Sequence, residues 1–66
     1  MSSQLLHAVK EKNDAEIVRM GDDLALGKAK DYADYKFVCG IARGLMVANN
    51  HLLELDIALR EDEDVE

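Results

Sequence analysis

Over the second half of the chain, apolar residues recur every seven positions in three neighbouring columns. Val38, Leu45, Leu52 and Leu59 form one, and Tyr32, Cys39, Met46 and Leu53 a second. Ile41, Ala48 and Leu55 form a third, which meets Asp34 one step earlier. Seven-residue spacing is the repeat of a helix that packs on other helices. On a helical wheel the columns cover about 200°, where a surface helix needs little more than about 100°. One neighbouring helix cannot cover that arc. A chain that carries it must fold as helices, and the second of them needs more than one partner.

The rest of the sequence supports helices and shows where they stop. There is no proline, and leucine, alanine, glutamate, lysine and methionine are strong helix formers. No stretch alternates with period two for long enough to read as a strand. The first helix should start near Ser2 or Ser3, since either hydroxyl can accept a free N–H of the first turn. Leu6, Val9, Ile17, Met20 and Leu24 follow one stripe, with Asn13 at the missing step. We read one continuous helix through Asn13, because the stripe keeps its register there. The alternative is that Asn13-Asp14-Ala15-Glu16 caps a second helix. Gly21 weakens the helix by roughly 1 kcal/mol and need not break it. Gly27 suits a left-handed stop. Gly27-Lys28-Ala29-Lys30 then connects to Asp31, a natural cap, with Asp34 placed to complement the helix dipole.

Short helix connections make antiparallel neighbours. The expected fold class is therefore all-α, an antiparallel helical hairpin. Its helices should run over about residues 3–26 and 31–60. One domain over residues 1–60 would be followed by an acidic disordered tail over residues 61–66.

Sixty-six residues leave little margin for stability. Compact burial would be worth about 100 kcal/mol, and ordering the chain costs about the same. An elongated shape buries less. Cys39 is the only cysteine, so no disulfide within the chain can help, and no Cys/His cluster suggests a structural metal. Another chain is the remaining remedy: a second copy in a homo-oligomer, or a larger structural protein.

The formal net charge is −6, but five of the fourteen acids lie in the last six residues, EDEDVE. The body holds nine acids against eight bases. It has no basic footprint, so no nucleic-acid partner is expected. The tail reads as a solvated end, with docking to a basic partner as the sharper alternative. MSSQLLHAVKEK lacks the pattern of a secretory signal, and no apolar run is long enough to cross a membrane. With one unpaired cysteine, this fits a reducing compartment.

The densest stretch is KDYADYKFVCGIARGL, residues 30–45. Gly40 and Gly44 match G-x-x-x-G, but Arg43 lies within it, which argues against a membrane dimer. The two glycines are expected to admit a bulky side chain or a neighbouring backbone in a water-soluble packing. Tyr32 and Tyr35 are expected to pack on the end of the first helix near Met20 and Leu24. Phe37, at the edge of the apolar arc, is the best candidate for an intermolecular anchor. Ile41, Leu45, Ala48, Leu52 and Leu55 continue the candidate interface. Asn49 is a candidate for fixing register or oligomer state, whereas Asp56 reads as solvated. Cys39 reads as a small inert hydrophobe. Neither His7 nor His51 has the spacing to form a dyad with it, and two isolated histidines make a poor zinc site. No catalytic residue, cofactor or metal ligand is assigned, and no enzyme activity is expected.

The run GKAKDYADYKFVCGIARGL resembles a pattern of small helical proteins encoded by tailed bacteriophages. Gly27, Lys30, Asp31, Tyr32, Asp34, Tyr35, Gly40, Arg43, Gly44 and Leu45 carry the resemblance. It implies phage origin and no particular activity. The resulting expectation is a non-enzymatic structural or assembly protein, located in a virion or the host cytoplasm, that acts through helix–helix packing. A small regulator that binds a host protein is the alternative.

Overall fold

The computed structural model describes the backbone of residues 3–64 and the side chains of residues 3–61. It holds two helices, α1 (Ser3–Ala25) and α2 (Tyr32–Asp64), packed against each other, with no strand among the described residues. The chain is an all-α antiparallel hairpin. None of its helices is long and apolar enough to cross a membrane among the described residues.

The turn is fixed by hydrogen bonds that its own residues supply. Gly27 takes a left-handed φ of 78°. Its N–H donates to the Leu24 carbonyl at 3.0 Å, and the Lys28 N–H donates to the Asp23 carbonyl at 3.1 Å. These two bonds are the Schellman closure, which satisfies carbonyls that the helix end leaves free. Lys28 Nζ also reaches the Asp23 carboxylate at 3.2 Å. At the start of α2, the Asp34 N–H donates to Asp31 Oδ1 at 2.8 Å. The Lys30 N–H in turn donates to Asp34 Oδ2 at 3.0 Å, so two backbone donors are satisfied reciprocally. Asp31→Ala is expected to cost about 1 kcal/mol, read as a lower urea midpoint at unchanged slope. An unchanged midpoint would show that the cap contributes nothing.

α1 is continuous through Asn13. Asn13 Nδ2 donates to Asn49 Oδ1 at 2.9 Å, which sets a register in which facing residue numbers add to 62. Carried along both helices, that register sets Leu24 opposite Val38, Met20 opposite Ala42, Ile17 opposite Leu45, Lys10 opposite Leu52, Leu6 opposite Asp56 and Ser3 opposite Leu59, on either side of Asn13/Asn49. All fourteen residues are buried or half-buried. Their spacing alternates between three and four, as in a coiled-coil seam. The layers nearest the turn are apolar. From Asn13/Asn49 outward, each has a polar member.

A single hairpin of this kind is thin. It measures 54 by 16 by 14 Å, with a radius of gyration of 15.6 Å, against about 11 Å for a compact domain of its length.

One boundary differs from the expectation. α2 continues to Asp64, so residues 61–64 are helical where a disordered tail was expected from their charge. Nothing between Arg60 and Asp64 lacks an N–H or favours a left-handed turn, so the backbone ladder runs on. Ser3 is already helical. The other candidate cap, Ser2, lies outside the described residues, as do Val65 and Glu66.

Candidate helix-packing interface

The hairpin's interior is built the reverse way from an ordinary core. Among the described residues no apolar side chain is buried, and the two that are buried are Asn49 and Asp56, at 7% and 2% exposure. Each is held by a small polar network across the seam.

The first network starts on α1. Lys10 Nζ donates to Asp14 Oδ2 at 2.8 Å. Asn49 Nδ2 donates to Asp14 Oδ1 at 2.9 Å, and Asn49 Oδ1 accepts from Asn13. Every polar atom of the Asn49 amide end thus has a partner, which burial requires. The sequence reading placed Asn49 on an intermolecular face. It instead fixes the register inside one chain, because Asn13 supplies its partner 36 residues away.

The second network closes the open end. His7 Nε2 lies 3.1 Å from Asp56 Oδ2, and Arg60 donates to the same oxygen from one turn along α2. A carboxylate only accepts, so the proton of this bond belongs to His7 Nε2. Asp56 Oδ1 is buried without a partner. Asp56 was expected to be solvated near a frayed end. It is the most buried side chain described, because α1 reaches back across it.

The Arg60 hydrogen bond, and then that from His7, hold the Asp56 carboxyl below its ordinary value of 3.8, against the opposing effect of burial. A carboxyl with a depressed folded value stabilises the fold above its unfolded value, and that contribution is lost as pH falls through the folded one. Thermal midpoints should therefore fall as pH drops below about 4. Asp56→Asn should make that acid limb shallower. An identical limb in the variant would show that Asp56 does not report on folding.

The seam uses only one of α2's three apolar columns. Val38, Leu45, Leu52 and Leu59 turn toward α1 and are half-buried. Leu45 and Leu52, expected at an outer interface, are therefore committed within the chain. The other two columns flank the seam. On one flank stand Phe37, Ile41, Ala48 and Leu55, with Phe37 67% exposed. On the other stand Cys39, Met46 and Leu53, with Met46 and Leu53 half exposed.

Gly40 and Gly44 do not let α1 approach. A Cβ at either would meet nothing within 4 Å. Both lie on α2 away from the seam, so within the chain their close-approach role has no neighbour to serve. Tyr32 is 73% exposed and Tyr35 43%. They stack on each other with centroids 6.1 Å apart, because i,i+3 spacing puts the rings side by side on a helix. The Lys36 ammonium lies 6.0 Å from the Tyr32 ring centroid. The Cys39 thiol, one turn beyond Tyr35, pushes the tyrosine hydroxyl above its ordinary value.

The histidines are 44 positions apart in the chain and have different partners. His51 Nδ1 faces Glu54 at 3.4 Å. No group of three or more His, Cys, Asp or Glu side chains converges to hold a metal among the described residues. Glu16, Arg19, Asp23 and Lys28 form a chain of surface ion pairs along α1 and into the turn. Arg19 holds the Glu16 carboxyl below its usual range by hydrogen bonding and charge. Such exposed pairs contribute little to stability.

Fold and site together define a polar-seamed antiparallel helical hairpin with two apolar flanks open to contact. No protein-family model matches the chain, and no curated protein or solved structure matches it either.

Proposed function

We propose that this chain is a non-enzymatic structural or assembly protein that acts through helix–helix packing. Its hairpin supplies half of a larger helical bundle, completed by copies of itself or by a larger structural protein. One observation carries this reading: the hairpin buries no apolar side chain among its described residues, while both flanks of α2 are apolar and exposed. Polar groups placed at the seam hold the register. They do not supply the burial that drives folding. The setting we propose is a tailed-phage particle, and the Gly27–Leu45 run alone supports it.

Sedimentation tests the physical part. A stable oligomer, or association with another particle protein, is expected at micromolar chain concentration. A dilute, fully helical monomer would overturn it. Mass spectrometry of purified particles tests the setting: a structural component is present in them, and a host-directed regulator is absent.

A further inference from the structure

The two flanks of the hairpin are not equivalent. Beside Ile41, the groove between the helices is walled by Arg19, Asp23, Lys28 and Asp34, of which the first three are tied in ion pairs. On the Cys39 flank the groove is larger, about 600 Å³, and mostly apolar, with Arg43 and Asn50 as the polar members of its wall. Ile17, Met20 and Leu24 line it from α1, and Cys39, Ala42 and Met46 from α2. It lies over the apolar layers near the turn. Ala42 and Gly21 are too small to roof those layers, and a Cβ at Gly21 would meet nothing within 4 Å. An open groove of that size leaves methionine and leucine surface that a neighbouring side chain can fill.

The same flank carries apolar knobs as well as a groove. Leu53 and Ile57, 49% and 48% exposed, stand toward the open end, past the groove along α2. Leu53 also walls a smaller groove of about 270 Å³ with Leu6, Lys10 and Arg60, but about half of its surface and of Ile57's stays exposed, so groove and knobs on one face can meet their counterparts on a second copy, as a two-fold interface requires. The area agrees. The chain exposes 5245 Å², about 1,000 Å² more than a compact protein of its mass. A stable interface takes roughly 800 Å² from each partner, and a face of 54 by 16 Å supplies that.

We infer that a second copy of this chain covers the Cys39 flank, turned end for end, so that Leu53 and Ile57 of each hairpin enter the other's groove near Met46. This rests on the helix-packing reading above and specifies its partner, face and direction.

The test uses paired charge variants of the full chain, Leu53→Glu and Met46→Lys, studied by sedimentation and circular dichroism. Each alone loses the dimer, since it puts a charge into both copies of the contact. Mixed in equal amounts, they should recover it, because one contact becomes Glu–Lys and the other stays Leu–Met. A mixture that remains monomeric overturns the end-for-end arrangement. Dimer loss in Ile41→Asp with a dimer kept in Met46→Lys moves the interface to the opposite flank, and leaves the helix-packing reading standing. In the unsubstituted chain, thiol labelling of the half-buried Cys39 should slow as chain concentration rises through the dimerisation range. A labelling rate independent of concentration, in a chain that does dimerise, overturns the choice of face without relying on any variant.

Discussion

Leu45→Asp is expected to melt both helices together. Leu45 faces Ile17 in one of the apolar layers, and the layers further out all contain a polar group. Losing the leucine forfeits part of the roughly 1.5–3 kcal/mol that burying it supplies. A carboxylate facing Ile17 then adds a desolvation cost with no donor to offset it. Single helices are marginal in water, so neither α1 nor α2 holds its shape once the seam opens. Far-ultraviolet circular dichroism should show loss of most of the helical signal, and any assembly should disappear with it. Ala8→Asp, on the exposed side of α1, should change stability by no more than about 0.5 kcal/mol. A Leu45→Asp chain that keeps its helicity would show that the apolar layers near the turn do not hold the hairpin.

Replacing Asn13 and Asn49 together with leucine should have the opposite sign. Exchanging both partners of a buried hydrogen-bonded pair for apolar groups leaves neither orphaned. Asp14 loses one donor, but its side chain is 49% exposed and water can take the vacant place. Two seam leucines should raise stability by about 2 kcal/mol. What is lost is specificity, since a polar pair at one level is what makes a slipped register costly. Sedimentation should show a broader mixture of species than the parent chain. Asn49→Ala alone should instead destabilise by about 1–3 kcal/mol, because it strands the Asn13 amide in the seam. A double variant that is both weaker and uniform would remove the register role from this pair.

The ends of the hairpin were legible because caps are local. Gly27 needs only a left-handed φ, and Asp31 and Asp34 reach backbone groups within four residues. Continuity through Asn13 was legible as well, because Leu6 on one side and Ile17, Met20 and Leu24 on the other share one phase, although Val9 is exposed and Lys10 takes its place at the seam. The run from Arg60 to Asp64 was misread, because charge argues about solvation and not about whether the backbone ladder can continue. Asn49 and Asp56 were harder. A polar residue on an apolar helix face looks the same in sequence whether it meets solvent or a partner. Asp56 has one partner four residues along at Arg60, but the one that ties it to α1 is 49 residues away at His7.

The sequence by itself determined that this chain makes two helices with a tight reversal between them, and that the second has more apolar surface than the first can cover. Propensity, capping and periodicity act within a few residues, so they can be read from neighbours along the chain. Only the tertiary structure decided which column of α2 meets α1. Three columns offer similar apolar surface, but the seam that forms is the one in which Asn13 meets Asn49 and His7 meets Asp56. A buried amide or carboxylate is tolerable only opposite its partner, and that pairing exists only once the chain has folded back on itself.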